Sequence, residues 1–169
     1  MRLGVLAFLA LLVVCHVARA QDTEEAPDPW LGCWTRVYDA AHLAKHPGQK
    51  VTALTLSIGA REPAGDNDPG KYLAKVTAKM RNASDTYTNL NGARCTAASD
   101  KLACVTDGFY VGQFSLEAAA KNMKLAFQGG GHLALVPGVD LDAFAVLSPD
   151  NPEHALFLLQ PAPAKTCGQ

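Results

Sequence analysis

From residue 30 to residue 160, apolar and polar residues alternate in short runs, each cut off by a cluster of turn-forming residues. The run 71–80 is the clearest: Tyr72, Ala74, Val76, Ala78 and Met80 fall on one side of an extended chain, Lys75 and Lys79 on the other. A period of two is what a strand requires when one face is buried and the other wet. Residues 51–58 repeat it, with Leu54, Leu56 and Ile58 together. Further runs at 33–38, 86–95, 102–106, 109–116, 122–128, 132–136 and 153–160 bring the count to about nine, with turn clusters such as Gly129-Gly130-Gly131 and Pro137-Gly138 between them. Barrels and sandwiches of antiparallel strands read this way. Two stretches read as helix: 38–46, ended by Pro47-Gly48, and 140–147, where Asp140 is placed to cap the first turn and Ser148-Pro149 to stop the last. Residues 115–123 mix strong helix formers with strand-like neighbours and are read as a hairpin turn.

The expected fold is therefore all-β: an antiparallel up-and-down β-barrel of about eight or nine strands with one or two short helices. No repeat and no interior break divides residues 30–169, so they are expected to form one domain. Residues 1–20 read as a secretory signal peptide, with a basic start at Arg2, an apolar run from 3 to 17 and a small-residue cleavage pattern at Ala18-Arg19-Ala20. The apolar run is shorter than the ~20 residues of a spanning helix. Cys15 follows Val14, where a lipoprotein signal places a small residue. Residues 21–29 (QDTEEAPDP) read as a flexible acidic segment.

Without the leader the chain has 13 basic and 16 acidic residues, a balance that argues against nucleic acid as partner. No later apolar stretch is long enough to cross a bilayer as a helix. The expected location is secreted, most simply a bacterial periplasm. In a eukaryotic secretory pathway Asn82-Ala83-Ser84 would be a glycosylation acceptor.

Cys33, Cys95, Cys104 and Cys167 remain after the leader, an even number suited to an oxidising compartment. Three pairings are open. A hairpin with Ser99 and Asp100 at its tip would set Cys95 directly opposite Cys104, and Cys33 would then join Cys167 across nearly the whole domain. A zinc site would need close cysteine pairs such as C-x-x-C, and the chain has none.

Gly32-Cys33-Trp34 on the first strand, a long connection, a meander of strands, a late helix and a last strand resemble the lipocalins and the wider calycin barrels. The resemblance implies that Gly32 and Trp34 occupy that family's G-x-W positions, with the tryptophan packed across the barrel floor. The family's T-D-Y motif has a partial counterpart in Thr106-Asp107-Gly108-Phe109-Tyr110. Its late arginine is absent, since Arg94 is the last in the chain. The outline is also similar to small secreted barrels that inhibit proteases with a mobile N-terminal segment.

Chemistry is sparse. Asp39, His42 and His46 are spaced to share one helix face, and a carboxylate with two imidazoles is a competent zinc set. The glutamate of an H-E-x-x-H motif is missing. Asp107, Ser115 and His132 could be drawn as a triad, but no G-x-S-x-G elbow supports it, and the glycine run lacks the lysine and helix of a phosphate cradle. The expected function is a binding barrel without a cofactor, whose interior, built from Trp34, Leu54, Leu56, Val76, Val111, Phe114, Leu125, Phe127 and Phe157, holds a hydrophobic small molecule or is filled. The alternatives are an interaction protein or enzyme inhibitor acting on a secreted or periplasmic protein, and a metal-dependent hydrolase at Asp39, His42 and His46.

Overall fold

A computed structural model describes residues 28–65, 68–107, 112–127, 129–138 and 143–168. The leader, most of the acidic segment, Val111, and the Gly108 to Tyr110 part of the partial motif lie outside the described residues.

Eight antiparallel strands close into a barrel: β1 (Gly32–Val37), β2 (Val51–Ala60), β3 (Tyr72–Met80), β5 (Ala93–Ala98), β6 (Lys101–Thr106), β7 (Gly112–Ala119), β8 (Asn122–Ala126) and β11 (Leu156–Pro161). Neighbours in sequence are neighbours in the wall, and β11 returns to pair with β1, Trp34 opposite Pro161. The wall closes between β3 and β5. Three shorter strands, β4 (Thr86–Thr88), β9 (Leu133–Pro137) and β10 (Ala145–Leu147), branch from β3 in that order.

On the edge away from β2, strand β3 serves two partners, β5 along Tyr72 to Ala74 and β4 along Thr77 to Lys79. Between them its backbone would have bare polar groups, and buried Asn89 supplies the missing bonds. Its Oδ1 accepts from Val76 N at 2.7 Å and its Nδ2 donates to Ala74 O at 3.1 Å. The branch is stitched back to the wall where Gln113 N donates to His132 O at 2.8 Å. Only glycine permits this approach, because a Cβ at Gly112 would lie 2.6 Å from that same oxygen.

The inward positions are those the alternation selects. Leu54, Leu56 and Ile58 on β2 meet Ala74, Val76 and Ala78 on β3, and Leu116, Leu125, Phe157 and Leu159 complete one apolar cluster with Trp34. Cys95 and Cys104 are paired residues of the β5–β6 hairpin and are bonded across it, with Ser99 and Asp100 at the tip. Cys33 is bonded to Cys167, in a 3-10 turn (Ala164–Cys167) that packs on β1 and β2. Two disulfides suggest an oxidising, extracellular-type environment.

Several boundaries differ from expectation. Residues 86–95 are not one strand: Asn89-Leu90-Asn91-Gly92 turns the chain between β4 and β5, with Gly92 in the left-handed region. The expected helix at 140–147 is not formed at its end, where Ala145–Leu147 is strand β10; Asp140, its supposed cap, lies outside the described residues. The reason is the open edge of β9, against which Ala145, Val146 and Leu147 pair with Leu135, Ala134 and Leu133. The turn within 115–123 narrows to Ala120-Lys121, with strand continuing on both sides. The run at 153–160 begins with a 3-10 turn (Pro152–His154) and becomes strand only at Leu156. The remaining helix, α1 (Ala40–Lys45), is shorter than 38–46.

Candidate functional site

The interior nominated for a ligand is largely occupied. Trp34, Leu54, Leu56, Val76, Phe114, Leu125, Phe127 and Phe157 are all buried in the common cluster, and Phe114 meets Phe127 edge to face. The structure thus brings the expected residues together, as packing partners of one another.

An opening lies at one end of the barrel, beside the start of β1 and the β7–β8 turn. Here a groove of about 370 Å³ is lined by Pro29, Leu31, Gly32, Cys33, Trp34, Ala118, Ala120, Lys121, Asn122, Met123, Pro161 and Ala162. The Trp34 ring folds back over Gly32, where a Cβ would sit 3.1 Å from the indole Cη2. Gly32 has φ +151°, a second reason for glycine there. Asn122, one of the lining residues, has its Oδ1 buried from solvent and without a hydrogen-bond partner among the described residues. Beside the groove, Asp28 accepts from Trp30 N and from the Tyr72 hydroxyl, each at 2.9 Å, and so ties the end of the acidic segment to the barrel.

The opposite end carries a cluster of ionisable side chains around α1. Asp39 caps α1, its Oδ1 accepting from His42 N at 2.7 Å, and therefore faces the helix backbone. The rings stack in series: Arg36 lies 5.0 Å from the Tyr38 centroid, Tyr38 4.7 Å from His42, and His42 4.2 Å from His46. His46 Nδ1 meets Glu153 Oε1 at 3.0 Å. Burial raises the Tyr38 hydroxyl pKa, opposed by the Arg36 charge.

Helix α1 buries no residue, so polar contacts hold it. Arg81 donates to the carbonyls of Leu43 and His46, and the 3-10 turn locks against the start of β2 through Gln49 Nε2 to Glu153 O and Asn151 Nδ2 to Gly48 O. Buried His154 accepts from Lys50 N through Nε2. Its pKa is lowered by burial first and then by the Lys50 charge, which keeps the ring neutral and able to accept.

Of the expected metal set, His42 and His46 are adjacent, while Asp39 is engaged as the cap. Among the described residues no group of three or more His, Cys, Asp or Glu is arranged to hold a metal ion. Asp107 and Ser115 have other partners: Asp107 pairs with Arg94 at 2.6 Å and Ser115 donates to Ala126 O. The signal missed in the sequence is Glu153, which lies 107 residues from His46, too far for any helical spacing rule to connect them.

No protein-family model matches the chain, and neither the curated proteins nor the solved structures give a significant match.

Proposed function

We propose that this is a secreted, periplasmic-type binding protein for a hydrophobic small molecule, held over Trp34 at the mouth of the barrel and not among the strands. The observation that carries this reading is the groove itself. Its volume of about 370 Å³ is in the range of small-molecule sites, roughly 300 to 1,000 Å³. Leu31, Trp34, Met123 and Pro161 offer apolar contact, and Lys121 and Asn122 supply the polar side of the rim. Below it the close-packed core acts as a rigid floor. The leader-like residues 1–20 and the two disulfides support a compartment outside the cytoplasm.

The test is titration with a small apolar fluorophore such as anilinonaphthalene sulfonate, repeated on Ala118→Phe. Ala118 is exposed at the mouth, opposite Met123, so a phenyl ring there fills the groove without disturbing the core. Saturable binding that drops at least about tenfold in this variant, the loss of about 1.4 kcal/mol, is expected. Binding unchanged by it, or absent with long-chain lipids as well, defeats the proposal.

The second reading is an interaction protein, favoured by an apolar strip on the outer wall. Val37, Leu156 and Leu158 are 69%, 52% and 43% exposed, and continuing the β1–β11 register sets Val37 beside Leu158. A partner bound there would be lost with Leu158→Asp and kept with Ala118→Phe, the reverse of the small-molecule outcome.

A further inference from the structure

We propose that His42 and His46 form a two-imidazole site for a divalent first-row transition-metal ion of the Cu²⁺, Ni²⁺ or Zn²⁺ type, with Glu153 as the carboxylate that orients His46. The site is independent of the groove, which lies at the other end of the barrel.

The first support is spacing. Residues four apart on a helix lie on one face within reach of each other, and the two rings are already in contact at 4.2 Å between centroids. The second is the carboxylate. An ionised glutamate oxygen accepts from the ring, so this contact selects the tautomer of the neutral imidazole with hydrogen on Nδ1, the form in which Nε2 has the lone pair that a metal ion takes. A histidine bound to metal through one nitrogen is usually held through the other by such a carboxylate or a carbonyl. Here that arrangement stands ready, supported in turn by Gln49 on the Glu153 carbonyl and by Arg81 on the His46 carbonyl. The third is access: the His46 side chain is 40% exposed, and α1 has no buried residue that would resist adjustment.

Chelation requires one change. The two imidazoles are stacked with 17° between their planes, so in this arrangement they face each other across the stack and do not converge on one ion. His46 stays where Glu153 holds it, and the His42 ring turns about its own side-chain bonds until one of its nitrogens reaches an ion on His46 Nε2, exchanging the ring stack for two metal–nitrogen bonds. Asp39 remains the helix cap, and water completes the coordination. Imidazole pairs favour Cu²⁺ over Ni²⁺ and Zn²⁺, following the general order for nitrogen sites.

Titration of the folded full chain with Cu²⁺, followed by calorimetry and by paramagnetic broadening of backbone amide signals, tests the assignment. The expected result is one equivalent of Cu²⁺, bound more tightly than Ni²⁺ or Zn²⁺, with broadening centred on residues 40–46 and 153. His42→Ala and His46→Ala should each abolish it, and Glu153→Gln should weaken it about tenfold or more. Thermal denaturation of the same variants checks the fold; if either alanine variant is unfolded, His42→Gln and the Glu153→Gln affinity decide. Absence of binding, broadening centred on His132, or binding that survives either histidine substitution overturns the proposal.

Discussion

Asn89 shows how one side chain can complete a barrel. Where β3 changes partners, a backbone N–H and a C=O point along the sheet at an edge with no strand opposite, and the carboxamide offers one acceptor and one donor at the matching height. Leaving a buried polar group without its partner costs about 1 to 3 kcal/mol. Asn89→Ala leaves two, so a loss of about 2 to 6 kcal/mol in urea denaturation is expected; a loss under about 1 kcal/mol would mean that water replaces the amide. Nothing in the sequence singles out this residue. Asn89-Leu90-Asn91-Gly92 is legible as a turn, but a turn asparagine and a strand surrogate look alike until β3 is seen to fork. Trp34 and Gly32 are the opposite case, since the ring and the space it needs are two positions apart on one strand.

At the scale of elements, legibility followed length. Long strands such as β2 and β3 show their alternation over many residues, whereas β4 and β10 are three residues each and draw their conformation from an open edge beside them. The 3-10 turn before β11 is also set by tertiary contacts, and its stability should depend on pH. His154 has a folded pKa below the ordinary 6.5 because burial disfavours its charged form. The unfolded chain therefore binds the proton more readily than the folded one. The stabilisation is complete above pH 6.5 and is lost as the pH falls from there through the folded value. Denaturation midpoints measured down this window should decline in the parent and decline less in His154→Gln; equal slopes would assign the pH dependence to other groups. The same docking carries Glu153 to His46, which is why that half of the α1 cluster could not be read from the helix alone.

For the whole molecule the two disulfides do unequal work. Cys95–Cys104 spans 9 residues in a hairpin that its own ladder already aligns, while Cys33–Cys167 spans 134 and joins the first strand to a turn beyond the last. In the chain-entropy description the short loop is worth about 2.7 kcal/mol and the long one about 5. Replacing both cysteines of each pair by alanine should show that order in equilibrium unfolding; the reverse order would mean that lost packing of the buried Cys95–Cys104 bridge, not loop length, governs. Class, disulfides and inward face were legible here because each depends on local alternation and cysteine parity. The branch formed by β4, β9 and β10 was not, because it depends on which edges remain after the barrel closes.

The seam between β1 and β11 bears on how the chain is made. The first strand to emerge during synthesis has β2 on one side and must wait for residues 156–161 before its other edge is covered. Until then a nascent chain presents an unpaired strand bearing Trp34, whatever else has formed. A barrel of this order is sealed by the pairing of β11 with β1, so a polypeptide halted short of β11 is an open sheet that invites pairing with its neighbours.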